Sequence, residues 1–548
     1  MGKGRMGNWA DRGSRSVAAA RVAALRVTRK SVQVARQAAE AAARRAEPTR
    51  VSALRSARRA GRAYAYAPTR WVVGVAAGSG LVLAVVSIAA AGPWEGGQRA
   101  SDAALARGHA VAGTGHHGRP TPKPAGPAWH DVADVLDPAG GSGTAPTPQG
   151  LAGALAGPLG ATALGRVTAS VVDVADGHTL YASGADQDQQ PASTNKIATA
   201  TAALSLLGPD HRFTTKVVGD ATTGLTLVGG GDPTVTAATG ADSLTALAAA
   251  TAAALKAAAA SPGTTSPSAT PAATAHRVAL HYDLSLFSLP ALHPIGVNDN
   301  IALVQALTAD EGRLDPTSTE NAPRYSDPAA HAASVFAAAL AADGVNVDTS
   351  PVTGTAPAGA PLLAQIRSAP LSDVVERMLT DSDNDIAEAV GHAVAIAAGR
   401  PATFTGAAQA VQAQLTRLGI QLGATHLADS SGLGDADELP AAVLTQLLVL
   451  DSSAAHPELR SVLSGLPIAG FTGTLDNRYG GPGSEAGLGV VRAKTGSLQT
   501  VNTLAGLVVD RSGRLLAFAF MSNGSSDQNA ARAALDVLAS RLATCGCS

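Results

Sequence analysis

From Trp71 to Trp94 the chain reads WVVGVAAGSGLVLAVVSIAAAGPW, 24 residues without a charge. As a helix, that run can cross a hydrocarbon core of ~30 Å, which needs roughly 20 residues. Tryptophans at its two edges suit the headgroup zones. Residues 1–70 carry 17 Lys and Arg against 3 Asp and Glu, an excess of 14 positive charges. Since the whole 548-residue chain has a net charge of −1, everything beyond residue 70 carries −15. The positive-inside rule keeps the basic end in the cytoplasm and sends the remainder outward. The expectation is a single-pass cell-membrane protein with a cytoplasmic N-terminus, a transmembrane helix over 71–94 and an extracellular folded part. A cleaved signal peptide is the rival, because SIAAAG ends in small residues, but 70 residues ahead of the apolar run is long for an ordinary n-region.

An outward-facing domain has no ATP, and no phosphate-binding Gly-x-x-x-x-Gly-Lys occurs in the chain. Only Cys545 and Cys547 are present, so folding cannot depend on a disulfide framework. These two either pair or stay free. The arginine-rich residues 14–62 fit an amphipathic helix on anionic lipid, a nucleic-acid arm or a solvated topology signal. The last is the plainest, and no nucleic-acid partner is expected.

Residues 95–150 are rich in Gly, Pro, Ala and His without a sustained period and read as a linker, with an average span of about 40 Å. His116 and His117 within it lack a second ligand cluster, so no designed metal site is expected. Folded sequence is expected from 151. RVTASVVDV (166–174) and HTLYAS (178–183) form a predicted hairpin, and GVVRAKTGSLQ, NTLAGLVVD and RLLAFAFMS supply three strands near the other end. A helix over about 526–543 closes the chain, leaving 544–548 as a tail. Strands split between the two ends, with helices between them, predict an α+β domain over 151–209 and 373–543 whose sheet joins both ends. Residues 210–372 are predicted to form an inserted domain. Within it an alanine-rich helix from 245 leads into a solvated Ser/Thr/Pro-rich loop ending at 276.

Lysine is scarce: seven occur, at 3, 30, 123, 196, 216, 256 and 494, against 34 arginines. Where a chain so strongly prefers Arg, a Lys points to a task needing a compact charge or a removable proton. Lys196 follows Ser193 by three residues in PASTNKIATATAAL, so both side chains share one helical face and can share a proton. The plain alternative is an N-cap serine followed by a surface lysine. Lys494 lies in RAKTGSL on a predicted strand, where Gly496 permits close approach of an extended ligand; the alternative is a charged strand edge. Ser382, Asp383 and Asn384 precede an apolar-periodic helix in LTDSDNDIAEAV and also make a good N-cap cluster. Each is weak alone; the order Ser-x-x-Lys, Ser-Asp-Asn, Lys-Thr-Gly is much stronger.

These three elements resemble those of the penicillin-recognising serine DD-peptidases. The closest resemblance is to the D-alanyl-D-alanine carboxypeptidase/endopeptidase family of low-molecular-mass penicillin-binding proteins. The long separation of Ser193 from Ser382 fits that family, as do LVGGGDPT, ALTADEGRLDP, DSSGLG and AGFTGTL. The resemblance covers about 151–543. It implies a penicillin-binding/β-lactamase-like transpeptidase domain, with a five-stranded antiparallel sheet flanked by helices and an insert. The implied substrates are peptidoglycan stem peptides, and the implied inhibitors are β-lactams. No cofactor or metal is implied.

By the same resemblance Ser193 is the nucleophile and Lys196 its base. Ser382 and Lys494 pass a proton to the leaving amine, and Asn384 holds the substrate amide. Thr495 takes the terminal carboxylate, beside Gly496, and the N–H groups of Ser193 and Ser497 form the oxyanion hole. Two departures stand out. Asp435 lies where the family often has arginine after its Ser-Gly-Leu element. Asp299 takes the place of an acidic residue facing a diaminopimelate amine, without the aromatic residues often beside it; a surface-turn aspartate is the plainer reading. The functional alternatives are a β-lactamase-like hydrolase and a non-catalytic wall-binding protein retaining the fold. No Glu-x-x-x-Asn loop that would serve the first stands out between 196 and 382.

Overall fold

The structure, a computed structural model, describes residues 143–548 except 239, 261–276, 320 and 548. The basic tail, the uncharged span at 71–94, most of the linker and the Ser/Thr/Pro-rich loop lie outside the described residues. Among the described residues no helix is long and apolar enough to cross a membrane.

The first helix, α1 (Pro148–Leu159), begins inside the stretch expected to be linker. Thr147 caps it, its hydroxyl accepting from Gly150 N–H at 3.1 Å, and Pro148 takes the first position, where its missing N–H costs nothing. Thr147 N–H also donates to the Cys547 carbonyl at 2.7 Å, tying this helix to the far end of the chain. Residues 544–547 are thus no loose tail. Cys545 is buried and bonded to Cys547.

Strands β1 (Arg166–Asp173) and β2 (Thr179–Ser183) form the predicted hairpin, followed by α2 (Asn195–Leu207). The chain then leaves the first sheet for a second. It contains β3 (Thr214–Asp220), β4 (Gly224–Val228), helix α3 (Leu244–Ala259), β5 (Leu280–Asp283), helix α4 (Pro328–Ala342), β6 (Val352–Thr353) and β7 (Leu362–Arg367). The order is β6-β5-β4-β3-β7. The β4–β5 and β5–β6 pairs are parallel, which requires crossovers, and α3 and α4 lie in those connections. Their apolar faces close a separate core that includes Leu225, Leu227, Leu247 and Phe336.

On return come α5 (Leu371–Thr380), α6 (Asn384–Ala397), α7 (Phe404–Arg417), α8 (Ala441–Asp451) and α9 (Arg460–Gly465). Then β8 (Arg492–Ser497), β9 (Val501–Val509), β10 (Leu515–Asn523) and α10 (Gln528–Ala543) complete the chain. The first sheet runs β2-β1-β10-β9-β8 and is antiparallel throughout. Both faces are covered, which explains the unbroken apolar run of β10. Ala517, Ala519 and Met521 join the core around α2, while Leu516, Phe518 and Phe520 join the core under α1 and α10. Small side chains on one face let α8 lie close to β1 and β10. Residues Asn195–Leu204 of α2 are all buried, so its alanine-rich composition reflects a helix surrounded on every side.

Candidate active site

Ser193 sits in a single 3₁₀ turn, Ala192–Thr194, two residues before α2 begins. It does not cap that helix: the N-cap position is Thr194, which makes no side-chain capping bond. The turn is held from below. Thr194 Oγ1 and Thr503 Oγ1 both donate to the Pro191 carbonyl, at 2.6 and 2.7 Å. Ala192 is forced to a φ of +47°, a conformation that costs about 1–3 kcal/mol and persists only where the surroundings over-determine it. Those surroundings close in through two glycines. A Cβ on Gly432 would lie 2.0 Å from the Ala192 carbonyl oxygen, and one on Gly496 would lie 2.6 Å from that of Pro191. Gly496 therefore serves the docking of the Ser193 turn onto β8, a closer constraint than the ligand approach expected from sequence.

Lys196 is fully buried, which excludes a surface lysine. Its ammonium has three N–H donors and meets three acceptors: Ser193 Oγ at 3.1 Å, Asn384 Oδ1 at 2.6 Å and the Ser431 carbonyl at 2.8 Å. Asn384 is oriented by its own amide, which donates to the Asn300 carbonyl at 3.0 Å. Burial brings the Lys196 pKa down to about 8, against the pull of the carboxylates of Asp429, Glu388, Asp383 and Asp437.

Those carboxylates stand one layer back. Glu388, fully buried, accepts from Ser431 N–H at 2.8 Å and from Ser430 N–H at 3.1 Å, and burial, then the Asp429 charge, push its pKa well up. Burial and Asp429 likewise raise Asp437 to about 8. Burial acts upward on Asp429 too, but His293 and the Gly432 N–H outweigh it and hold its pKa below the ordinary value. His293, Glu388 and Asp429 each bring a potential ligand atom within 4.8 Å of the others. Their oxygens are already engaged by backbone N–H groups, and His293 Nε2 by Asp429 at 3.0 Å, so hydrogen bonds close this cluster.

Asp383 caps α6, accepting from Ile386 N–H at 2.8 Å, which leaves its neighbours Ser382 and Asn384 to line the cleft. Ser382 has a φ of +59°. The insert fixes this segment. Arg313 reaches Asp383 at 2.6 Å and Glu311 at 2.5 Å, while Arg324 reaches Asp385 at 3.0 Å. Lys494 is also fully buried, although β8 is an edge strand, so it is no solvent-facing guard. Its Nζ donates to the Thr495 carbonyl at 3.0 Å, and burial, then the nearby Lys196 cation, push its pKa well down.

A cleft of about 670 Å³ opens over these groups, lined by Ser193, Ser382, Asn384, Thr495 and Ser497 among others. Ser193, Lys196, Ser382, Asn384, Lys494, Thr495, Gly496 and Ser497 are thus brought together. Asp299 is not: it is exposed on a turn, and its neighbour Asn300 lines the cleft instead. Asp435 is likewise exposed and not among the lining residues. Sequence reasoning missed Asn300, the Ser431 carbonyl, Glu388 and Thr474, whose hydroxyl lies 2.7 Å from that of Thr495. Glu388 left a signal as a charge one helical turn after Asn384 in an apolar helix, and Ser431 and Thr474 lie within the motifs DSSGLG and AGFTGTL.

A serine hydroxyl bonded to a buried, weakened ammonium, between an edge strand and a helical unit, defines a serine enzyme of the penicillin-binding, β-lactamase-like class. The chain belongs to the D-Ala-D-Ala carboxypeptidase 3 (S13) family, which matches residues 151–259 and 311–542. The unmatched 260–310 includes His293 and Asn300. Carboxypeptidase DacB of Mycolicibacterium smegmatis is 37% identical over 88% of this chain and 99% of its own length. The D-alanyl-D-alanine carboxypeptidase of an Actinomadura species is 31% identical over 68% of this chain and 80% of its own. Penicillin-binding protein 4 (dacB) of Haemophilus influenzae has the same fold, with a TM-score of 0.55 at 22% identity, covering 72% of this chain and 98% of that one. Its complex with a β-lactam superposes with a TM-score of 0.52 at 23% identity.

Proposed function

We propose that this chain is a serine D-Ala-D-Ala carboxypeptidase/endopeptidase that hydrolyses peptidoglycan stem peptides through an acyl-enzyme on Ser193 and is acylated by penicillins. The observation that carries the reading is the 3.1 Å bond between Ser193 Oγ and an ammonium with no exposed surface. In its neutral form Lys196 takes the Ser193 proton as Oγ bonds to the carbonyl carbon between the two D-alanines. Charge that develops on the carbonyl oxygen is met by the N–H groups of Ser193 and Ser497. The C–N bond then breaks, the Ser382 hydroxyl gives its proton to the leaving amine, and the proton taken up by Lys196 returns to Ser382 through Lys494. Asn384 holds the substrate amide and Thr495 the terminal carboxylate. Water adds to the ester and releases Ser193.

The uncharged span at 71–94, behind a basic tail, supports anchoring with this site outside the cell. Protease added to intact cells should then degrade residues beyond the span, while a tag at residue 1 stays protected.

Intact mass spectrometry after mixing with a penicillin tests the chemistry. One stoichiometric adduct should form, map to the Ser193 peptide and be absent in Ser193→Ala. A folded protein that forms no adduct refutes the enzymatic reading, and rapid turnover without a persistent adduct would mark a β-lactamase.

A further inference from the structure

The cleft is longer than the proposed chemistry on two D-alanines requires. Past Thr495 it continues between the loop that starts at Thr474 and the first turns of α10, where Asn477, Arg478, Gly481, Asn529 and Arg532 line it. Two contacts fix this direction. Thr474 Oγ1 meets Thr495 Oγ1 at 2.7 Å, and Gln528 at the start of α10 donates to the Leu498 carbonyl, just beyond β8, at 2.9 Å. The extension therefore leaves the site on the side where the leaving amine and its carboxylate lie.

Its charges are unevenly used. Arg478 is neutralised by Asp536, with bonds of 2.7 and 3.2 Å, and its remaining reach goes to the Arg532 carbonyl at 3.1 Å. Asp381 acts on Lys494. Asp476 is exposed. Arg532, half-buried on α10, has no ion-pair partner among the described residues, and the charge that acts on it is the like charge of Arg478. An unpaired guanidinium held beside another in a cleft is unfavourable until an anion arrives, and its planar fork suits a carboxylate.

Resting on the reading above, we propose that this extension is a leaving-group subsite for cross-linked substrates, in which Arg532 takes a carboxylate of the stem peptide attached to the departing amine. A terminal D-alanine presents only a methyl group there. An amine that continues into a second stem would occupy the length of the cleft and bring further carboxylates with it.

Two synthetic cross-linked dimers test this with the full chain. They are identical except that the carboxylates of the leaving stem, other than the one next to the scissile bond, are free in one and amidated in the other. The expected ratio of kcat/KM, free over amidated, is about tenfold, the scale of one charge-assisted hydrogen bond. It should fall close to one in Arg532→Gln and lie between in Arg532→Lys. A wild-type ratio near one, or a ratio unmoved by Arg532→Gln, overturns the proposal. Failure of the underlying reading would show separately, as a wild-type protein that penicillin does not acylate.

Discussion

Replacing Gly496 with alanine isolates the packing that presents the nucleophile. The added Cβ would stand 2.1 Å from Thr503 Oγ1, 2.6 Å from the Pro191 carbonyl oxygen and 3.0 Å from Ala192 Cβ. Thr503 can turn its hydroxyl away, but that forfeits its 2.7 Å bond to the Pro191 carbonyl. The carbonyl itself must then retreat by about 0.8 Å to reach an ordinary contact of 3.4 Å. Overpacking of this kind costs ~1–3 kcal/mol, and the lost hydrogen bond adds about 1 kcal/mol. Pro191 and Ala192 lead directly into Ser193, so the displacement passes to Oγ and lengthens its 3.1 Å bond to Lys196. A misplacement near 1 Å lowers the rate of a positioned reaction by about 10²-fold. Stopped-flow acylation by a fluorescent penicillin should therefore slow by that factor, with a modest fall in urea stability. Gly153→Ala is the control: nothing lies within 4 Å of its Cβ, and helix propensity gains up to ~1 kcal/mol. Acylation at the wild-type rate in Gly496→Ala would refute the reasoning, since the turn would then not be gripped by β8.

Acylation should depend on pH through Lys196. Because its pKa is lowered to about 8 and the neutral amine is the reactive form, the second-order rate should rise about tenfold per pH unit below 8 and level off above it. A rate that is flat between pH 6 and 9 would contradict this. Glu388→Gln keeps an acceptor for the Ser430 and Ser431 N–H groups but removes a charge that pulls the Lys196 pKa up. The midpoint of the profile should therefore move down, and an upward shift would refute the electrostatic role. Arg313→Met leaves buried Asp383 without its ion-pair partner and Glu311 with Arg377 alone, which should cost ~3–5 kcal/mol in urea unfolding. A loss under about 1 kcal/mol would show that the pair does not hold α6 to the insert.

The first sheet was legible because its strands carry strong local signals. The hairpin of β1 and β2 has a turn between apolar runs, and β9 and β10 fall within one residue of the segments read from sequence. The second sheet was legible only as fragments. β6 has two residues, and the partners of β5 lie one crossover helix away on either side, so no local pattern announces parallel pairing. The start of α1 was hidden by composition. Thr147 and Pro148 form a sound cap, but they stand at the end of a Gly/Pro-rich stretch that reads as linker.

At the site, spacing along the chain marked the side chains but said nothing of what surrounds them. The environment of Lys196 is the instructive case. A carboxylate in direct contact would pin it as an ammonium, since an opposite charge at hydrogen-bond distance favours the charged form. Its partners are instead a hydroxyl, an amide oxygen and a peptide carbonyl. Negative charge reaches it indirectly: Glu388 binds the Ser431 N–H, and the carbonyl of that same residue binds Lys196. The carboxylates thus steady the loop and temper the cost of burial while leaving the amine able to give up its proton. Lys494, a second buried amine nearby, is itself turned toward its neutral form by burial and then by the Lys196 charge. A loop carbonyl and a helix glutamate more than 40 residues earlier in the chain make this arrangement, which is why Ser-x-x-Lys by itself could not distinguish a surface lysine from a base.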